Sequence, residues 1–357
     1  MYNQVAGLRE QERAEMSRSR CSWLWVLVAA LVLPAAVRAD TVTLKTGQVI
    51  EGKIEKVEAD KLVIRTSEGA AEYSRDQVKV FAILQAGPEG KMVLEERTFT
   101  PDPGKMPFQF ETEHYVIRTD TGEHVCRNAG LAMEELYAAY MAMFRPEEVS
   151  KKKVEIVIWE DPSKFRAYAE SVKVKLPAGA LGCFRSGPDG AQILTYKRRT
   201  DEFNTLSTLY HEGTHQFIMM VMGKHDVPLW VNEGLAVYFE NSQWQQGKLK
   251  TGVIPRQRLM VLQKALRSDK HVPLADLLRR GRDTYDALCY SEGWSLVYFF
   301  AKANHGAYGE RFMTYFRMLK DGKDPMESFH KCFSTDLDKL EQTWKKFILE
   351  LEVPPEG

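Results

Sequence analysis

His211-Glu212-Gly213-Thr214-His215 spells HExxH, and eighteen positions beyond it Glu233 stands in Trp230-Val231-Asn232-Glu233-Gly234-Leu235-Ala236. Composition alone yields an HExxH in about one chain in a hundred of this size, so the flanks decide its meaning. Leu206, Leu209, Phe217, Ile218, Met219, Met220, Val221 and Met222 make the stretch a largely buried helix that ends near Gly223. Residues four apart on a helix share a face, so His211 and His215 can aim imidazole nitrogens at one point, with Glu212 beside them. A surface helix with two histidines is the plainer alternative. Buried histidines beside a buried glutamate need a partner, which a cation supplies.

A catalytic zinc takes three protein ligands and leaves one position to water, and Glu233 is the third candidate. Pro228 and Trp230 precede a stretch, 231–240, whose apolar positions Leu235, Val237, Tyr238 and Phe239 suit a second packed helix with Glu233 in its first turn. An ordinary N-terminal carboxylate favoured by the helix dipole is the other reading. His225, Asp226 and His271 share no motif with the pair and read as loop residues. Downstream, Cys289-Tyr290-Ser291-Glu292-Gly293-Trp294 opens a third apolar segment that runs to Phe300.

These three segments resemble the gluzincin metallopeptidases. Asn232-Glu233-Gly234-Leu235-Ala236, followed by Tyr238 and Glu240, is similar to the glutamate-ligand stretch of the aminopeptidase N and leukotriene hydrolase families, and Tyr290 with Gly293 resembles their tyrosine segment. Residues 106–352 look like the peptidase MA-like domains of unknown function found in secreted bacterial proteins. The resemblance implies a thermolysin-like catalytic domain, one zinc ion per chain on His211, His215 and Glu233, and transition-state stabilisation by Tyr290. Two features depart from aminopeptidase N. Residues 216–232 between His215 and Glu233 number 17, one fewer than in that pattern. Where those enzymes carry a glutamate that anchors the substrate's amine, this chain reads Gly179-Ala180-Leu181-Gly182-Cys183. Aminopeptidase specificity is therefore not expected.

Zinc lowers the pKa of a water ligand towards about 7 and polarises a carbonyl, the two hard parts of amide hydrolysis. Glu212, off the metal but within reach of that water, is the expected general base, and Tyr290 the expected donor to the oxyanion. A core tyrosine on an amphipathic helix is the alternative for Tyr290. Glu240 is a candidate to orient an imidazole, or else an exposed charge. Residues 191–196 alternate weakly and read either as an edge strand able to align an extended peptide or as an internally paired strand.

The whole chain balances 49 basic against 49 acidic residues, which leaves no field that would draw nucleic acid. Arg18 and Arg20 precede the apolar run 23–33, followed by Pro34 and an Ala-rich stretch with Val37 and Ala39. This reads as a signal peptide, 1–39, with a secreted or periplasmic mature protein and no stable membrane span; an uncleaved N-terminal anchor is the alternative. Beyond it stand Cys126, Cys183, Cys289 and Cys332, read as one or two disulfides or as four buried thiols.

The expected class is α+β. Short alternating runs in 40–84, separated by turn signals, predict four or five strands closing into a small SH3-like barrel, and 85–105, with Pro88, Pro101 and Pro103, reads as a linker. The gluzincin-like domain, 106–357, opens with strands at 108–118 and 153–159 flanking a helix at 123–144, and its later half is mainly helical. The expected function is a secreted zinc peptidase acting on peptide or protein substrates within the chain. The alternative is a non-catalytic peptide- or protein-binding module on a peptidase fold. Oligomeric state is not legible.

Overall fold

The structure, a computed structural model, describes residues 39–355 apart from 58–60, 75–76, 87–91, 98–103, 148, 151, 188–189, 199–201 and 246–247. The expected signal segment 1–39 lies outside the described residues, Ala39 excepted. Among the described residues no helix is long and apolar enough to cross a membrane. The chain divides into two units, 1–99 and 100–357, and is a mixed α+β protein with a helical C-terminal half.

The first unit is a sheet of six antiparallel strands: β1 (Asp40–Leu44), β2 (Val49–Val57), β3 (Lys61–Thr66), β4 (Gly69–Ser74), β5 (Val78–Ala86) and β6 (Met92–Arg97), in the order β4-β3-β2-β1-β5-β6. Alternate side chains of β1 and β3 point inward, so Val42, Leu62 and Ile64 are fully buried and gather Leu44, Val78 and Phe81 around them. Asp40 ties three strands at one end. Its carboxylate accepts the backbone N–H of Ile54 on β2 and of Leu84 on β5, each at 2.7 Å. Among the described residues the expected closed barrel is not found. Alternation fixes which face of a strand is buried but not whether the outermost strands meet. A sixth strand, formed by 92–97 within the stretch read as linker, pairs along β5 and extends the row.

The second unit opens with a five-stranded mixed sheet in the order β10-β11-β9-β8-β7. β7 (Phe108–Glu111) and β8 (Tyr115–Thr119) form a hairpin where one strand was expected, and α1 (Glu123–Phe144) crosses to β9 (Val154–Trp159), parallel to β8. Alternate residues of β9 belong to different cores. Ile156 and Ile158 face the large core with α1, while Val157 and Trp159 pack with Phe165 and Tyr168 of α2 (Pro162–Ser171). Both faces of the sheet are thereby covered, as a buried parallel pair requires. β10 (Gly182–Gly187) and β11 (Gly190–Tyr196) complete the sheet; β11 pairs with both β9 and β10, so 191–196 is internal and β10 is the edge strand.

The remainder is almost wholly helical. α3 (Glu202–Met222) and α4 (Leu229–Glu240) are followed by a small hairpin of β12 (Gln243–Gln245) and β13 (Lys248–Lys250). Then come α5 (Arg256–Arg267), the short α6 (Leu274–Leu277), a 3-10 turn (Arg282–Thr284), α7 (Ala287–Lys302), α8 (Gly309–Lys320), α9 (Pro325–Cys332) and α10 (Leu337–Glu350). α4 and α7 meet almost backbone to backbone. A Cβ on Gly234 would fall onto the carbonyl of Gly293 and lie 3.0 Å from Val297, and one on Gly293 would meet the phenol oxygen of Tyr285 at 2.5 Å and the carbonyl of Trp230 at 3.2 Å. Two glycines thus let these helices close together, which brings the residue before Gly234 towards the start of α7. Cys126, Cys183, Cys289 and Cys332 are all free thiols.

Candidate metal centre

α3 carries His211, Glu212 and His215, and its two faces are used differently. Thr214 turns inward, donating to the Tyr210 carbonyl at 2.7 Å and lying 2.8 Å from the hydroxyl of Tyr140 on α1. The histidines turn towards α4. Glu233 is the fifth residue of α4, two residues deeper than the expected start at 231 implied, and its side chain is 4% exposed. Nε2 of His211, Nε2 of His215 and one carboxylate oxygen of Glu233 all lie within 4.8 Å of one another. Oε2 of Glu233 stands 3.4 Å from His215 and 3.7 Å from His211.

The outer nitrogens decide what the inner ones can do. Nδ1 of His211 lies 3.0 Å from Oε2 of Glu240, and Nδ1 of His215 lies 3.0 Å from Oδ1 of Asn232. Both partners are oxygen acceptors, so each Nδ1 carries the proton and each Nε2 of a neutral ring presents a lone pair. Those two Nε2 atoms face each other at 3.1 Å. Lone pairs at that distance repel unless a cation or a proton lies between them. Burial acts to lower the pKa of His211, but hydrogen bonds to Glu233 and Glu240 outweigh it and push the ring up to about 10. Burial likewise opposes ionisation of Glu233, yet the two imidazoles hold its carboxyl well below the usual range. The cluster therefore demands positive charge at its centre. Two imidazoles and a carboxylate with outer partners that fix the rings form the donor set of a catalytic zinc site, so these residues fit that ion.

Glu212 is not one of the three converging donors. Its neighbour is the edge strand: a Cβ on Gly182 would lie 3.2 Å from Cγ of Glu212 and 2.7 Å from Cγ2 of Thr208. Position 182 has no room for a side chain on that face. Tyr290 is in the first turn of α7, half-buried, with its ring edge-on to Tyr285 at 5.2 Å. Burial raises its pKa, as do the charges of Glu233 and Glu212, while Arg282 and Arg258 lower it. All four charges therefore act on this phenol. His225 and Asp226 lie in the loop after α3, and His271 is held 2.9 Å from Glu341, away from the cluster.

Three residues at the centre had no assigned role from sequence. Asn232 was quoted only as part of a motif. Arg258 sits in the first turn of α5, its Nη2 3.7 Å from Oε2 of Glu240 and its Cζ 5.9 Å from the centre of the Tyr290 ring. Arg282 reaches from the 3-10 turn to place Nη1 3.6 Å from Oε1 of Glu233. The basic run Arg279-Arg280-Gly281-Arg282 was the available signal for the last; nothing in the sequence distinguishes Arg258.

No curated protein matches the chain. Residues 205–327, which take in most of α3 and all of α4 and α7, are similar to a family described as a protein of unknown function, DUF1570.

Proposed function

We propose that the protein is a zinc-dependent peptidase that cleaves within polypeptide chains, secreted in keeping with its N-terminal segment. The observation that carries this reading is the pair of Nε2 atoms facing each other at 3.1 Å, with both outer nitrogens held by Glu240 and Asn232 and Oε2 of Glu233 completing the cluster. His211, His215 and Glu233 would hold the ion. When bound, zinc supplies Lewis acidity, lowering the pKa of water and polarising a scissile carbonyl.

The chain's own residues supply the rest. Glu212, next to His211 in sequence and not one of the three converging donors, takes the proton from the attacking water and returns it to the leaving amine. Tyr290 keeps its proton at neutral pH, because burial and two carboxylates disfavour the phenolate, so it donates a hydrogen bond to the oxygen on which charge develops. The edge strand β10 runs beside Glu212 and, among the described residues, has no strand partner on one side of its backbone, which suits an extended peptide added in register. The lack of space at Gly182 supports cleavage within chains, since no side chain there could anchor a free amine.

The test is metal analysis of the purified protein coupled to digestion of a broad peptide library, with Glu212→Gln as control. One zinc per chain in both proteins, with cleavage by the wild type alone, is expected. Equal cleavage by the variant would rule out the mechanism, and silence of zinc-loaded wild type across pH and substrates would rule out the peptidase reading.

A further inference from the structure

Two guanidinium groups from separate elements converge beside Tyr290, and neither is used by the chemistry above. Arg258 approaches from α5 and Arg282 from the 3-10 turn before α7. Each comes no nearer to a site carboxylate than 3.7 Å for Glu240 and 3.6 Å for Glu233, beyond hydrogen-bond range. An arginine engaged as a structural counter-ion uses its planar fork in two short parallel hydrogen bonds. These two leave most of their N–H donors unspent. The side chain of Arg282 is 70% exposed, so it faces incoming solute rather than the interior. Its carboxylate contact is to Oε1 of Glu233, whereas the histidines face Oε2, so ligation through Oε2 leaves the arginine in place.

The charge balance points the same way. Glu212, Glu233 and Glu240 contribute three negative charges, whereas Arg258, Arg282 and a divalent ion contribute four positive ones. The loaded centre therefore carries surplus positive charge on the Tyr290 side, where both arginines act on the phenol. A neutral substrate leaves that surplus uncompensated; a carboxylate satisfies it with charge-assisted hydrogen bonds.

The geometry points to Arg258 and Arg282 as a carboxylate-binding subsite, so that the preferred substrate carries a carboxylate next to the scissile bond: an acidic side chain if cleavage falls within chains, or a free C-terminus, in which case the enzyme is a carboxypeptidase instead. This rests on the metal-hydrolase reading of the same centre and names its substrate class. The test is calorimetric binding to the zinc-loaded whole chain carrying Glu212→Gln, which removes turnover. The probes are short peptide hydroxamates in matched pairs: one pair ends in alanine carboxylate or alanine carboxamide, and the other, amide-ended, has Glu or Gln after the hydroxamate. At least one acidic member is expected to bind about tenfold or more tightly than its neutral twin. The pair that discriminates identifies the source of the carboxylate. Adding Arg258→Gln and Arg282→Gln together should bring the ratio to about one, and lysine at both positions should restore part of it. Equal binding within both pairs, no binding by any probe, or a ratio that survives the double glutamine variant overturns the subsite. Cleavage is scored separately: a wild type silent on the library but discriminating among the hydroxamates fails as a peptidase while keeping the subsite.

Discussion

Nδ1 of His211 and Oε2 of Glu240 lie 3.0 Å apart, so the third donor Glu233 and the residue that orients a donor ring belong to the same helix, α4. Outer partners of this kind are worth about 10- to 100-fold in metal affinity. Glu240→Gln and Asn232→Ala should each weaken zinc binding by that order, measured by competition with a chromogenic chelator. Zinc should raise the melting temperature of the wild type and leave that of Glu233→Ala unmoved, because only a ligand that binds the folded state shifts it. Wild-type affinity in both outer variants would refute the orienting role.

The contact between Gly234 and Gly293 predicts an effect at a distance from any ligand. Ala at either position forces a methyl into backbone or into the Tyr285 phenol, and overpacking of this sort costs about 1–3 kcal/mol. The helices must part to admit it, carrying Glu233 away from Tyr290. Urea denaturation should show a lower midpoint for Gly234→Ala, and the folded variant should bind zinc more weakly. An unchanged midpoint with unchanged affinity would contradict the close approach.

Glu292 gives the chain a pH dependence independent of metal. Its side chain is fully buried, Oε1 accepts the Val272 N–H at 2.8 Å, and Oε2 has no hydrogen-bond partner among the described residues. Burial pushes its carboxyl up from the ordinary 4.5 to about 8. Below pH 4.5 both folded and unfolded chains hold the proton, so this group contributes no pH dependence there. Between 4.5 and about 8 the unfolded chain ionises first, so stability falls as pH rises, and above about 8 the loss levels off. Thermal melts at pH 5, 6.5 and 8 should show Glu292→Gln gaining on the wild type as pH increases; parallel profiles would show that Glu292 does not titrate in this window.

The sequence reached the centre of the molecule more surely than its periphery. His211 and His215 were legible because helical spacing alone sets which side chains share a face, and the flanking apolar residues placed that helix in a core. Arg258 was not, because its approach to Tyr290 depends on how α5 crosses α7. The strand 92–97 was hidden by the prolines and glycines around it, and α9 by its eight-residue length. Barrel closure in 40–84 was misjudged since alternation defines faces and says nothing of edges. Likewise 191–196 was open between edge and interior until β10 took the outer place.

The near contact of Gly234 with Gly293 makes α4 and α7 a single support for groups that chain order sets far apart. Asn232, Glu233 and Glu240 ride on one helix of that pair and Tyr290 on the other, whereas His211, Glu212 and His215 belong to α3. A substitution that displaces either glycine therefore disturbs a carboxylate and the phenol together, without touching either side chain.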